Sequence, residues 1–240
     1  MIDTIKKSFK EMFCTLGLTC EICGKELFDG GYFCKECYSK LPFNNKHICD
    51  HCGRQTAENY GYCIECKAFP TAFEKARSVF CYEEEISKLV SSFKNNDKQY
   101  LAEIFTDFFL PIYYKHFFRT DYIIFVPMFN KDEHLRGYNQ SELLAEKLAV
   151  KVNKMILYDV VEKVKATKNQ KSLNRVERLT NLKGVFVIRK RKKIKDKNIL
   201  LIDDILTTGI TAHTISEKLI KAGVSNVFVL TVASVSASNK

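Results

Sequence analysis

Eight of the ten cysteines in this 240-residue chain form two copies of one pattern. In each copy a Cys-x-x-Cys pair is followed by Gly and a basic residue, and a second Cys-x-x-Cys pair comes after ten intervening residues. The second copy lies twenty-nine residues after the first. Two such pairs on tight turns supply four thiolates, the ligands of a tetrahedral structural Zn²⁺ site. Because we find no secretory signal pattern that would favour disulfides, the repeat predicts a small zinc-ribbon module.

We predict two structural zinc ions, one for each copy of the pattern. The proposed ligands are Cys20, Cys23, Cys34 and Cys37 for the first ion, and Cys49, Cys52, Cys63 and Cys66 for the second. The spacing also fits a cross-braced pairing, in which each ion takes one pair from each copy. His47 and His51 lie beside the ligands and offer alternative donors. A closed site of four cysteines has no open coordination position, so we expect a role in structure or binding and not in catalysis.

The stretch Asn198–Thr211 is the second feature that constrains the fold. Ile199–Ile202 is a short unbroken apolar run, which is typical of a strand covered on both faces. Asp203 and Asp204 follow directly, and adjacent carboxylates at the end of a strand favour a ligand over packing. The residues Thr207–Thr211 then supply hydroxyls, a glycine and the free N–H groups of a helix N-terminus, which suit a phosphate. The stretch predicts a strand, an anionic turn, a phosphate-binding loop and a helix, with plain helix capping as the alternative for the loop.

From residue 70 onward short apolar runs alternate with amphipathic stretches, which predicts βαβ units and a parallel sheet. We expect strands over residues 76–82, 122–126, 155–160, 184–188, 199–202 and 226–233, with helices between most of them. Residues 127–136 are expected to form a loop that either holds an anion or carries solvated charges. The polar segment 163–181 predicts a short helix that acts as a mobile lid.

Charge is concentrated in one part of the chain. The net charge is +10, and residues 151–200 hold sixteen Lys or Arg against four Asp or Glu. Polyanions such as a phosphorylated small molecule or a nucleic acid are the natural partners of such a surface. Residues 190–197 contain six basic side chains, which form either a solvated turn or a nucleic-acid contact.

The sequence also predicts a domain organisation. Residues 1–18 have the periodicity of an amphipathic helix, residues 19–69 contain the double zinc-ribbon module, and residues 70–240 form the α/β domain. No apolar run is long enough to cross a membrane, so we expect no membrane insertion and a cytoplasmic location.

Together these motifs resemble those of the ComF/GntX family, which are competence-associated, phosphoribosyltransferase-like proteins of the ComFC type. The resemblance rests on the cysteine pairs, Leu41-Pro42, Arg136–Gln140, the spaced residues of the segment 167–181, and Ile202–Thr211. The last of these is similar to the 5-phosphoribosyl-1-pyrophosphate (PRPP) motif of type I phosphoribosyltransferases. The implied fold is α/β, a type I phosphoribosyltransferase-like parallel sheet flanked by helices and preceded by a small zinc-ribbon module.

The resemblance also implies roles for particular residues. Asp203 and Asp204 become candidate catalytic residues that bind the ribose hydroxyls of PRPP, and Mg²⁺ accompanies the pyrophosphate. The loop after Val126 is expected to hold that pyrophosphate, while the loop after Asp204 holds the 5′-phosphate. The implied PRPP-binding set is Asp203, Asp204, Leu206, Thr207, Thr208, Gly209, Thr211, Pro127, Met128 and Arg136.

The function implied by the resemblance is a PRPP-binding competence protein that binds single-stranded DNA and supports DNA uptake in natural transformation. A helicase-like competence protein is an implied partner. The alternative is an active phosphoribosyltransferase, which moves ribose 5-phosphate to a nitrogenous acceptor and releases pyrophosphate. The sequence departs from characterised phosphoribosyltransferases in having no recognisable base-binding hood. A zinc-dependent adaptor with a regulatory nucleotide-sugar site is a third hypothesis.

Overall fold

The computed structural model describes residues 19–28, 31–59, 61–95, 98–167, 177 and 180–237. The helix predicted over residues 1–18 and most of the proposed lid lie outside these residues. By compactness the chain divides into two units, residues 1–41 and 42–240. The first cysteine copy therefore belongs to the smaller unit, whereas the second shares the larger unit with the sheet. The domain limits of 1–18, 19–69 and 70–240 stay a prediction.

The two cysteine copies have the same local structure. An antiparallel bridge joins Thr19 to Glu26 in the first copy, and its counterpart joins Ile48 to Gln55 in the second. A one-turn helix then begins directly after the third cysteine of each copy. These helices are α1 (Lys35–Ser39) and α2 (Ile64–Ala68).

The strands of the described residues form two sheets. They are β1 (Lys75–Cys81), β2 (Tyr122–Phe125), β3 (Met155–Ile156), β4 (Val161–Lys163), β5 (Phe186–Ile188), β6 (Asn198–Leu206) and β7 (Asn226–Ser234). Five of them make a sheet in the order β1-β7-β6-β2-β3, and every neighbouring pair is parallel. The side chains of Ile199–Ile202 are fully buried in the central strand β6, as a strand covered on both faces requires.

The larger helices flank this sheet and bury apolar stripes of helical period. They are α3 (Glu84–Asn95), α4 (Leu101–His116), α6 (Gln140–Val152) and α8 (Ile210–Lys221), and two short helices, α5 (Asn130–Arg136) and α7 (Arg191–Ile194), lie in the connections after β2 and β5. Leu144 and Leu148 of α6 are fully buried, as are Ile215 and Leu219 of α8. The predicted parallel sheet flanked by helices is confirmed. Among the helices that the structure describes, none has the length and apolar character that crossing a bilayer needs.

The outer edge of β1 is covered by residues of the second cysteine copy and the segment before it. Asn44 N–H donates to the carbonyl of Val79 at 2.9 Å, and the N–H of Cys81 donates to the carbonyl of Pro42 at 2.8 Å. Further along, the N–H of Ala76 donates to the carbonyl of His51 in the second cysteine copy, also at 2.8 Å. Backbone groups that would otherwise present an open sheet edge are thus paired within the larger unit.

Several predicted elements need correction. The strand expected over 155–160 ends at Ile156, and the strand expected over 184–188 pairs antiparallel with β4 outside the main sheet. The loop expected over 127–136 contains α5, which ends at Gly137 in the left-handed conformation with φ 87°. Strand β6 does not stop at the apolar run: it continues to Leu206 because β7 supplies backbone partners as far as Ser234. The two acids therefore lie in the strand and not in a turn.

Candidate functional site

A cavity of about 950 Å³ opens at the carboxyl ends of β2 and β6, where parallel α/β sheets usually bind ligands. Of the predicted PRPP-binding residues, seven line it: Pro127, Met128, Arg136, Asp203, Asp204, Thr207 and Thr211. Three do not line it: Leu206, Thr208 and Gly209. Leu206 is buried in the core, with 3% of its surface exposed, which makes it a support for the loop and not a contact residue.

The two carboxylates occupy a part of β6 that has a strand on only one side. The last pair with β2 is Ile202 with Phe125, so beyond that point only β7 remains hydrogen-bonded to β6. Asp203 Oδ1 accepts a hydrogen bond from Ser141 Oγ at 3.0 Å. Asp204 forms an ion pair with Lys94. The acids are thus partly buried beside an open side of the sheet, which leaves room for a ligand.

Burial shapes the protonation of this site. Burial, together with the neighbouring charge of Asp204, raises the pKa of Asp203 to about 7, against hydrogen bonds and the charge of Lys94, which favour the ionised form. Burial also lowers the pKa of Lys163, which lines the same cavity, although Asp132 opposes that shift. A ligand that donates hydroxyl protons to Asp203 would stabilise its charged form.

Residues Thr207–Thr211, hereafter called the phosphate loop after the ligand that the sequence predicts for it, lead from β6 into α8. Gly209 is the residue before the helix and has φ 74°, a left-handed conformation that glycine adopts without strain. As a glycine it has no side chain of its own to cap the N-terminus of α8. The first N–H groups of this twelve-residue helix have no partner within the helix, and Thr211 in its first turn lines the cavity, an arrangement that suits an anion.

The segment Arg136–Gln140, one of those on which the family resemblance rests, connects loops around the cavity. The buried hydroxyl of Tyr138 donates to the carbonyl of Phe93, one residue before the lysine that pairs with Asp204. Asn139 Nδ2 donates to the carbonyl of Val126 at 3.1 Å. The segment thus ties the loop after β2 to the end of α3, and both of these border the cavity.

Four residues of the site were not predicted from the sequence. Lys94 and Ser141 contact the acids, Lys163 lines the cavity, and Arg54 donates to the carbonyl of Thr207 in the phosphate loop at 3.3 Å. Each lies far from the motif along the chain, and the local sequence indicates a contact with the motif in none of them, although Arg54 belongs to the cysteine pattern. Only the folded topology brings them to the motif.

The cysteines form two separate clusters, in which all four sulfur atoms lie within 4.8 Å of one another. The pairing is sequential, one copy per cluster, and not cross-braced. The Sγ–Sγ distances between the second and third cysteines are 3.9 Å in the first cluster and 3.7 Å in the second. Four sulfurs around a zinc ion with bonds of about 2.3 Å lie about 3.8 Å apart, so both clusters fit structural zinc. His51 Nε2 is hydrogen-bonded to Thr71 Oγ1 at 2.6 Å, so this nitrogen is engaged outside the cluster.

The clusters differ in burial. In the first, Cys23 is exposed and two further cysteines are half-buried, whereas all four cysteines of the second are buried. The second cluster belongs to the same apolar core as β6 and α8. The described residues thus contain one zinc centre that is built into the sheet domain and one that lies in the smaller unit.

Comparison with known proteins defines the class. Residues 14–67 match the model of the double zinc ribbon domain, and residues 139–240 match that of the phosphoribosyl transferase domain. Competence protein F of Haemophilus influenzae is 28% identical over 201 residues, which cover 81% of this chain and 85% of that protein. Adenine phosphoribosyltransferase from Leishmania tarentolae aligns with 60% of this chain and 74% of its own, at 16% identity and a TM-score of 0.37.

The chain is therefore an α/β protein with a phosphoribosyltransferase-like domain and a double zinc ribbon. Competence protein ComFC of Bacillus subtilis is 30% identical over 201 residues, which cover 79% of this chain and 78% of that protein. The chain belongs to the ComF family.

Proposed function

We propose that this protein binds PRPP at the cavity beside β6 and serves in the handling of single-stranded DNA during natural transformation. The observation that carries the proposal is the convergence of Asp203, Asp204 and the phosphate loop on one cavity. A competence role is supported by the relatives named for competence, which match most of the chain. The place of action would be the cytoplasm, with a helicase-like motor as a partner.

The charges that line the cavity support a metal-assisted mode of binding. Among the described residues, three cations and three carboxylates line it: Lys94, Arg136, Lys163, Asp132, Asp203 and Asp204. Such a balanced lining does not neutralise a ligand with a phosphate and a pyrophosphate. Mg²⁺ bound to the pyrophosphate would supply the missing positive charge, and hard oxygen ligands suit it. The two acids of β6 would accept hydrogen bonds from the ribose hydroxyls.

Calorimetric titration with PRPP and Mg²⁺ tests this site. We expect the double variant Asp203→Asn, Asp204→Asn to bind PRPP more weakly by more than about a hundredfold, because two charge-assisted hydrogen bonds are lost. The control is the double variant Glu84→Gln, Glu217→Gln, which removes two carboxylates from exposed ion pairs on helix surfaces. Equal affinities for the wild type and the β6 double variant would overturn the proposed site.

The cavity itself favours an active transferase as the second candidate. Its volume lies at the upper end of the range for small-ligand sites, about 300–1,000 Å³, and part of its lining is apolar. The accessible apolar side chains there include Val126, Met128 and Leu135, which leave a surface for a flat acceptor next to the ribose. Release of pyrophosphate from PRPP in the presence of nitrogenous acceptors would establish turnover. Binding of PRPP without release across the acceptor panel would leave the binding function alone.

A further inference from the structure

We propose that Arg54 couples the second cysteine cluster to the phosphate loop, so that zinc at this cluster strengthens PRPP binding. The inference rests on the proposed function and assigns a positioning role to a residue outside the cavity. It predicts that the two zinc centres are not equivalent. The second supports the ligand site, and the first does not.

The contacts of Arg54 join the two sites directly. Its side chain is buried, with 6% of the residue exposed. Nε donates to Cys52 Sγ at 3.4 Å, and Nη2 donates to Cys63 Sγ at 3.7 Å. Nη1 donates to the carbonyl oxygen of Thr207 at 3.3 Å and also lies 3.5 Å from Glu65 Oε1. One guanidinium therefore bridges two cluster sulfurs and the first residue of the phosphate loop.

Charge explains why this bridge depends on the metal. Four thiolates around Zn²⁺ carry a net charge of minus two, and a buried guanidinium is favourable next to them. Without zinc the metal no longer holds together the sulfur atoms of Cys52 and Cys63, which orient Nε and Nη2 of Arg54. The position of the guanidinium, and with it the hydrogen bond to Thr207, is then no longer fixed.

The hydrogen bond to the Thr207 carbonyl also fixes the next N–H group. The chain has no cis peptide bond among the described residues. In a trans peptide the C=O and N–H bonds point in opposite directions. Because the carbonyl of Thr207 points at buried Arg54, the N–H of Thr208 points away from it. Loss of this bond frees the Thr207–Thr208 peptide to rotate and removes a fixed donor direction from the phosphate loop.

A second connection reaches the helix that follows the loop. His51 lies between two cysteines of the second cluster and its Nε2 is hydrogen-bonded to Thr71 Oγ1 at 2.6 Å. The next residue, Ala72, donates its N–H to Nδ1 of His213 in the first turn of α8, at 3.0 Å. The second cluster is thus linked both to the loop and to the helix N-terminus at which the phosphate would bind.

The duplication supplies an internal comparison. The residue that corresponds to Arg54 in the first copy is Lys25, which is exposed. The preceding glycines also differ: a Cβ on Gly53 would lie 2.4 Å from the carbonyl oxygen of Ala76, whereas one on Gly24 would have no heavy atom within 4 Å among its described neighbours. The same local fold is therefore buried against β1 in the second copy only.

The test compares Arg54→Gln with its counterpart Lys25→Gln in the full-length, zinc-loaded protein. Zinc content is measured first, and both variants are expected to retain both ions. PRPP titration with Mg²⁺ should then show weaker binding for Arg54→Gln by at least about fivefold, the lower end of usual coupling between sites. Lys25→Gln should bind like the wild type. Unchanged affinity in Arg54→Gln, with PRPP binding to the wild type, would overturn the inference and leave the proposed function intact.

Because the coupling between zinc binding and PRPP binding is reciprocal, it can also be measured in the wild-type protein. If zinc at the second cluster strengthens PRPP binding, PRPP must strengthen zinc binding by the same factor. PRPP should therefore slow the transfer of one of the two ions to a chelator in the wild type. A Cys23→Ser variant, which lacks a ligand of the first cluster, should keep the slowed ion. Equal release with and without saturating PRPP would contradict the coupling.

The bridge formed by Arg54 can be tested even if the proposed function is wrong. If PRPP does not bind the wild type at all, amide hydrogen exchange of the phosphate loop still tests the bridge. Exchange in residues 207–211 should be faster in Arg54→Gln than in Lys25→Gln. Equal exchange would overturn the role of Arg54 whatever the ligand is.

Discussion

At the scale of single residues, the ligand-binding role proposed for Asp203 is in conflict with the stability of the fold. Burial and the charge of Asp204 raise the pKa of Asp203 to about 7, far above that of an exposed aspartate. Between about pH 4 and pH 7 the folded protein therefore keeps a proton that the unfolded chain releases. Because the folded state then binds more protons, the free energy of unfolding falls as the pH rises through this window and is level above it.

Asp203→Asn should remove this penalty. We expect the variant to be more stable than the wild type at pH 8 by up to about 4 kcal/mol, with the difference vanishing towards pH 4. The measurement is thermal unfolding at several pH values and a fixed zinc concentration. Comparison with the wild type at each pH cancels the pH dependence of zinc ligation.

An exposed carboxylate is the control for this experiment. Hydrogen bonding to Lys190 lowers the pKa of Asp159, so Asp159→Asn should leave the fall in stability between pH 4 and pH 7 in place. If Asp203→Asn and the wild type showed the same pH dependence, the raised pKa of Asp203 would be refuted.

The same residues show how far the sequence could predict the site. Asp203 and Asp204 stand out because two carboxylates directly after an apolar run have no packing role. Their partners do not stand out. Lys94 ends an amphipathic helix and Ser141 begins another, and both read as ordinary helix-end residues until the sheet brings them to β6.

At the scale of elements, long periodic segments were predicted well and short ones were not. Strand β6 and helices α4, α6 and α8 follow their apolar patterns. Strand β5 was predicted as a main-sheet strand and β4 was not predicted, because three-residue strands carry no pattern that distinguishes one sheet from another. Helix α5 was missed since all its residues but the exposed Leu135 are polar and the helix buries no side chain. Its position is set by the left-handed Gly137 and the loop around the cavity.

The contact between the second cysteine copy and β1 gives a prediction for a matched pair of glycines. Gly53 and Gly24 both have positive φ, 67° and 72°, so alanine strains either position by about 1–2 kcal/mol. At Gly53 the new methyl group would also collide with the backbone of β1 at Ala76. We expect Gly53→Ala to destabilise the larger unit by more than about 3 kcal/mol in thermal unfolding. Gly24→Ala should leave the melting of that unit unchanged, and equal effects would contradict the burial of the second copy.

At the scale of the whole molecule, duplication in sequence does not mean duplication in role. The eight cysteines predict two equal zinc centres, and the structure buries only one of them in the core of the sheet domain. The difference arises from contacts that the repeat itself does not encode, namely the carbonyl of Thr207 and the edge of β1. Spacing identified the ligands, but the surroundings decide what each centre supports.

The charge distribution leads to a prediction about DNA. Residues 191–195 form a short helix and its end, in which Ile194 is buried and the four basic residues are exposed. Phosphate contacts by such residues give affinity with little sequence preference and a strong dependence on salt. Replacing all four basic residues by Gln should weaken binding of a single-stranded oligonucleotide by at least about tenfold at low salt. The slope of log affinity against log salt should fall by up to about 3, at roughly 0.7 per lost contact.

A charge-matched variant separates a local surface from the effect of net charge. Four exposed lysines elsewhere in the larger unit are replaced by Gln in the control: Lys46, Lys67, Lys88 and Lys221. Both variants lower the net charge by the same amount, so long-range attraction weakens equally in the two proteins. Only direct contact predicts a larger loss for the 191–195 variant, measured by fluorescence anisotropy over a series of salt concentrations. If the two variants lost affinity equally, the 191–195 surface would be a solvated turn, and any DNA-binding surface would have to lie elsewhere on the chain.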